Sequence, residues 1–174
     1  MFVVGLGEDS NYYVVDMVRD RLNLKERTDK LFKLVNKYKP ILVGYEQYGM
    51  QSDIEHIEEK QEKLRYHFQI VPLGGRLSKI DRITKLIPDF QNQKIFLPYE
   101  LSYIDYQDEK QDLTKIFIDE EYLQFPTSKH DDMLDCLARI KDPDLMASFP
   151  LKDEWEGFDE WDDDTGDRDS TTGY

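Results

Sequence analysis

Short apolar runs alternate with helical periodicity along most of the chain. Residues 2–7 (FVVGLG) and 12–18 (YYVVDMV) are β-branched and aromatic, and Glu8-Asp9-Ser10-Asn11 between them is turn chemistry, which predicts a β-hairpin. Asn23 suits the N-cap of a helix over about 24–39, with Leu24, Leu31, Leu34, Val35 and Tyr38 on its apolar face and Pro40 as its stop. The run ILVGYE at 41–46 reads as a buried strand of a parallel sheet. Ser52-Asp53-Ile54-Glu55 has the form of a capping box opening a helix to about residue 65, and HFQIVP at 67–72 is a further strand. Gly74-Gly75 predicts a loop, and Ser78 caps a helix with Ile80, Ile83, Leu86 and Ile87 on one face. A short strand over 94–97, a loop over 99–110 and helices at about 111–122 and 131–141 complete the order β-β-α-β-α-β-α-β-α-α. Such alternation predicts a mixed α/β sheet flanked by helices.

Composition then divides the chain. The net charge over 174 residues is −14, but residues 151–174 carry ten acids and two bases. That segment, low in aliphatics, is expected to be a disordered acidic tail, and Trp155, Phe158 and Trp161 within it suit a partner-binding peptide as well as a solvated end. Residues 60–85 run the other way, with Lys60, Lys63, Arg65, Arg76, Lys79, Arg82 and Lys85 against Glu62 and Asp81. The expected division is a domain over 1–148 and a tail over 149–174. No apolar stretch reaches membrane-spanning length, so no membrane partner is expected. The single cysteine, Cys136, excludes an internal disulfide and a cysteine-based zinc site; its place between apolar residues predicts core, and a reducing cytosol is the default compartment.

The acids that can carry chemistry are few. Glu46 ends the third strand, and in open α/β sheets ligands bind just beyond the carboxyl ends of strands. His130-Asp131-Asp132-Met133-Leu134-Asp135 opens the last helix. There the buried arc is Met133, Leu134, Leu137 and Ile140, Asp131 borders it, and Asp135 is spaced to pair with Arg139. Capping by Ser128-Lys129-His130-Asp131 and the helix dipole account for one or two of these acids, but less well for a histidine and three acids within six residues. Carboxylates from different elements converging at one sheet end would hold hard divalent ions, Mg²⁺ or Mn²⁺, and a two-metal site of that kind hydrolyses phosphodiesters. Lys79 and Arg82 are candidate phosphate contacts, with a solvated helix face as the alternative. There is no phosphate-binding Gly-x4-Gly-Lys-Ser/Thr loop, no Gly-x-Gly-x-x-Gly turn and no Gly-x-Ser-x-Gly elbow, and His56 and His67 lack ligand-spaced partners.

The segments YYVVDMVRDRL (12–22), ILVGYEQYGMQ (41–51), KIDRI (79–83), the Pro-Asp-Phe before KIFLP (88–98) and FPTSKHDDMLD (125–135), in this order, resemble the C-terminal nuclease domain of phage terminase large subunits. The Phe-Pro shortly before His-Asp-Asp is the most specific part. The resemblance implies an RNase H-like fold and a metal-dependent endonuclease cutting concatemeric double-stranded viral DNA, with Glu46, Asp131 and Asp132 as catalytic and metal-binding acids. It implies a portal protein, a small terminase subunit and a terminase ATPase domain as partners, and a place in the host cytoplasm at the procapsid portal. Two departures modify it. No Walker motif is present, and the family's first catalytic Asp lies on a strand before the one matching residues 2–7, so the expectation is an N-terminally truncated domain; Asp9 and Asp16 are not obvious replacements. A catalytically inactive DNA- or portal-docking module is the alternative, and another RNase H-like nuclease, such as a resolvase, fits the Phe-Pro to His-Asp-Asp spacing less well.

Overall fold

The computed structural model of the chain describes residues 1–46 and 51–151. Gln47-Tyr48-Gly49 and the acidic segment from residue 152 lie outside the described residues, and with them the expectation of disorder there.

The opening hairpin forms as the pattern predicts. Strands β1 (Phe2–Leu6) and β2 (Tyr12–Met17) pair antiparallel, with an irregularity between Val3 and Val4. In the turn, the Asp9 carboxylate accepts from the backbone and side-chain amides of Asn11 and from the Tyr13 hydroxyl. Along β2, Tyr12 and Val14 are buried while Tyr13 and Val15 are exposed, the period-two signature of a half-covered strand. Asp16 accepts from the Tyr38 hydroxyl and Lys37 Nζ, which ties β2 to the first helix.

Helix α1 (Leu24–Tyr38) starts in a capping box: Asn23 Oδ1 accepts from the Glu26 amide at 3.0 Å and the Asn23 amide donates to Glu26 Oε2 at 2.9 Å. It stops at Lys39, in the left-handed region at φ 48°, just before Pro40. Thr28, Leu31, Phe32 and Val35 are its buried residues, so Phe32 joins the face and Leu24 sits at its margin. Strand β3 (Val43–Glu46) is shorter than the apolar run, and Ile41 is 90% exposed. Helix α2 (Gln51–Leu64) then crosses to β4 (Ile70–Leu73), which pairs parallel with β3. Ser52 lies inside α2 rather than at its cap. Asp53 is instead drawn inward, buried and bonded by Arg27 and the Tyr45 hydroxyl.

The amphipathic stretch after Ser78 forms two short helices, α3 (Lys79–Thr84) and α4 (Ile87–Gln91). Ser78 caps α3 through the Asp81 amide; Ile83 and Leu86 are buried, while Ile80 in α3 and Ile87, after the break at Lys85–Leu86, are exposed. β5 (Ile95–Phe96) adds parallel to β2. Residues 99–110, expected as loop, include a small antiparallel hairpin of β6 (Ser102–Ile104) and β7 (Lys110–Asp112). Asp105 closes its turn by accepting from the Gln107 and Glu109 amides. Asp112 caps α5 (Leu113–Ile116), which continues as a π-helical stretch, Phe117–Tyr122. Helix α6 (Asp132–Ala138) ends in a 3₁₀ turn, Arg139–Lys141.

The architecture is mixed α/β, but its strands do not form one sheet. Among the described residues they fall into β1-β2-β5, β3-β4 and β6-β7. Two apolar clusters follow this division. One gathers Val14, Met17, Leu86, Leu113, Phe117, Met133, Leu134 and Leu137; the other Leu31, Phe32, Val35, Val43 and Ile57. No helix among the described residues is long and apolar enough to cross a membrane.

One buried charge fixes α6. Glu121, fully buried on the π-helical stretch, accepts from the amides of Met133 at 2.8 Å and Leu134 at 3.0 Å. These are amides that the first turn of a helix cannot satisfy internally. Burial pushes the Glu121 carboxyl above its ordinary range, against those amides and Arg19, whose Nε lies 3.8 Å from Oε1. A raised carboxyl favours the folded state fully below its unfolded value, and that contribution is lost as pH rises through the folded value. Glu121→Ala therefore removes the acceptor and should destabilise the chain by about 2–3 kcal/mol in urea unfolding. Glu121→Gln keeps the acceptor and loses the buried charge, so it should gain stability relative to the native chain as pH rises from 4 to about 7.

Candidate functional site

Two elements supply the candidate acids, β3 and the start of α6. Glu46 ends β3, half exposed, with Oε1 2.6 Å from Arg139 Nη2. Arg139 is itself buried, and its Nη1 reaches Asp142 Oδ2 at 3.2 Å and the Gly74 carbonyl at 3.3 Å. One guanidinium thus joins the end of β3, the loop after β4 and the chain after α6. Arginine suits this, since its planar fork of donors serves two acceptors at once without losing its charge.

At the start of α6, the Asp131 side chain makes no capping bond, and Ser128 Oγ is buried without a hydrogen-bond partner. The expected capping box does not form because Glu121 already takes the first free amides. The acids of the first turn are left to tertiary partners. Lys79 Nζ lies 2.6 Å from both Asp131 Oδ1 and Asp132 Oδ1. Arg82 grips Asp135 with both arms, Nε to Oδ1 at 2.7 Å and Nη2 to Oδ2 at 2.9 Å. Asp135 therefore does not pair with Arg139 as its spacing predicts. His130 is exposed.

These contacts set the electrostatics. Burial alone would pull the Lys79 ammonium down, but its bonds to Asp131 and Asp132 outweigh that and hold it above the ordinary lysine range. The bond from Lys79 holds the Asp132 carboxyl below the usual carboxylate range. The Asp135 bond likewise raises Arg82. Five carboxylates (Glu46, Asp131, Asp132, Asp135 and Asp142) face three cations (Lys79, Arg82 and Arg139), a formal surplus of two negative charges.

Glu46, Asp132, Asp135, Arg139 and Arg27 line a cavity of about 430 Å³ whose remaining wall is largely apolar. Asp131, favoured by its position on the helical wheel, is not among the lining residues. Cys136 lines the cavity too, half-buried rather than core. The two expected phosphate contacts, Lys79 and Arg82, are paired with site acids in this arrangement. Elsewhere in the basic stretch, Lys60 pairs with Asp29 and Lys63 with Glu59. No group of three or more metal-ligating side chains occurs among the described residues.

Sequence reasoning missed Arg139 as the partner of Glu46 and Glu121 as the cap of α6. Arg139 carried a signal, a charged residue beside Ala138 on the buried side of an otherwise apolar helix. Glu121 carried none, because Glu120 and Glu121 are equivalent until the helix winding is known. In comparisons with known proteins, no family model, no curated protein and no solved structure matches the chain.

Removing Arg139 leaves Glu46 and the buried Asp142 without their shared cation, so Arg139→Met should cost about 3 kcal/mol in chemical unfolding. Lys79→Met should cost less than about 1 kcal/mol, since its partners are more exposed. In that variant the Asp132 carboxyl should titrate higher than in the native chain, as read by ¹³C NMR. The pair's contribution is present at neutral pH and is lost as pH falls through the depressed value.

Proposed function

We propose that this chain is a divalent-metal-dependent endonuclease module of the terminase type, acting on double-stranded DNA. The observation that carries the reading is the convergence of Glu46, from the end of β3, and Asp132, from the start of α6, on one cavity. The donor chemistry suits Mg²⁺ or Mn²⁺, which prefer carboxylate oxygens and water. A second ion of a two-metal site would require Lys79 to release Asp131 and Asp132.

On this reading Glu46 and Asp132 hold metal directly and Asp131 supports it. Bound metal would supply Lewis-acid activation of water and of the leaving oxygen. Lys79 neutralises Asp131 and Asp132 and, were metal to take its place there, would be free to meet a DNA phosphate, while Arg82 keeps Asp135 and the start of α6 in place. The separate three- and two-stranded sheets are read as portions of an RNase H-like sheet. The portal protein, small terminase subunit and terminase ATPase domain are the partners this reading brings, in the host cytoplasm at the procapsid portal. A second reading, a non-catalytic docking module for DNA or portal, is favoured by one observation: every candidate acid already has a cation partner.

Manganese titration and plasmid nicking separate the two. The nuclease reading expects nicking of supercoiled plasmid in about 1–5 mM Mn²⁺, an activity loss of about a hundredfold or more in Glu46→Ala, and about tenfold tighter Mn²⁺ binding in Lys79→Met, because two carboxylates lose their competitor. If the purified chain is folded by circular dichroism, yet shows neither a manganese isotherm nor nicking, the docking module is the better account.

A further inference from the structure

Helix α1 turns a row of lysines to solvent. Leu31, Phe32 and Val35 pack inward, while Lys25, Lys33 and Lys37 are exposed and Lys30 is half-buried. Lys30, Lys33 and Lys37 stand three and four residues apart, so they form one stripe. The acids of this face are already engaged. Asp29 is bonded by Lys60 of α2, and Glu26 accepts from the Asn23 amide in the capping box. Lys37 is held by Asp16. Lys25, Lys30 and Lys33 have no ion-pair partner among the described residues, and Lys30 Nζ sits over the neutral Tyr103 ring, 4.8 Å from its centroid.

The described residues end within reach of this stripe. Phe149 packs edge-on against Tyr12 at the start of β2, with 4.9 Å between ring centroids. Asp16, four residues along the same strand, holds Lys37 and Tyr38 at the end of α1. Strand and side chains together make a path of roughly 30 Å, or about nine residues of extended chain. Residues 151–174 hold ten acids against two bases, and Asp159, Glu160, Asp162, Asp163 and Asp164 begin about where that path ends. We propose that segment 152–174 of this chain seats on the outer face of α1, its acids from Asp159 onward along Lys37, Lys33 and Lys30. The cations nearer the exit are less suited. Lys141 is held by Asp89 at 2.7 Å, Lys85 shares a small cavity with Asp142 and Asp144, and Lys94 is a single charge. The tether selects this occupant over an outside polyanion, because a short linker holds the segment at an effective concentration of about a millimolar. Any free acidic partner, DNA included, has to displace it. The inference does not rest on the nuclease reading.

Trp155 and Trp161 are the two tryptophans of the sequence, so tryptophan fluorescence reads this segment alone. In the full chain at about 20 mM salt, steady-state anisotropy should fall by about a quarter or more when salt is raised to about 0.5 M, where charges are screened within a few ångströms. The double variant Lys30→Glu with Lys33→Glu should show the same fall at low salt, and Lys85→Glu with Lys94→Glu should not. Zero-length carbodiimide crosslinking of the native chain, read by mass spectrometry, should join acids of 153–169 to Lys30 or Lys33. An anisotropy indifferent to salt or to the α1 variant overturns the proposal, and so does an equal fall in the Lys85 and Lys94 variant or an absence of crosslinks to α1. Crosslinks that join ¹⁵N-labelled to unlabelled copies also overturn it, and assign the segment to a second chain.

Discussion

The position of α6 depends on one buried carboxylate. Glu121 has no access to solvent, and two backbone amides of α6 have no partner but Glu121. Neither can be left unmatched in an apolar surrounding without a loss comparable to a large part of a small domain's net stability. The contact sets where α6 begins and, through the helical repeat, which of its side chains face the core. Met133, Leu134 and Leu137 turn into the larger apolar cluster, and Asp132, Asp135 and Arg139 turn toward the cavity. A cap supplied from the protein's interior also frees Asp131 and Asp132 from capping, which is why both are available to Lys79.

From that anchored helix the remaining charge network extends outward. Lys79 and Arg82 lie on α3 and reach the first two turns of α6; Arg139, just beyond α6, reaches β3 and the loop after β4. The Lys79 and Arg82 pairs thus lie within the larger apolar cluster, joining α3 to α6, while the Arg139–Glu46 pair runs from the end of α6 to β3, whose Val43 belongs to the smaller one. Buried or half-buried pairs hold position well but contribute little net stability, because desolvation offsets the attraction.

The parts of this arrangement legible in the sequence were the local ones. Asn23 as a cap, Pro40 as a stop, and the alternation of Tyr12 to Val15 each encode their structure within a few residues. The candidate acids were legible as residue types at element ends. Their partners were not, since Glu46 finds Arg139 and Asp132 finds Lys79 only after the chain has folded. Ser52 and Ser128 both had the form of cap residues and neither caps, because backbone context rather than composition decides where a helix starts. The hairpin in 99–110 escaped notice because its strands are three residues each and its turn depends on the Asp105 side chain.

The Arg82–Asp135 contact bears on how this sequence can drift. Its two parallel bonds use the planar fork, so a lysine at position 82 would preserve charge but surrender one bond and the fixed orientation. The Lys79 contact is different, since a single ammonium nitrogen serves two aspartates as a point charge. Neighbouring turns of α3 therefore answer to different rules of replacement. By geometry, another long cation at position 79 could keep the point-charge contact, whereas a change at position 82 alone would leave Asp135 without one or both of its bonds.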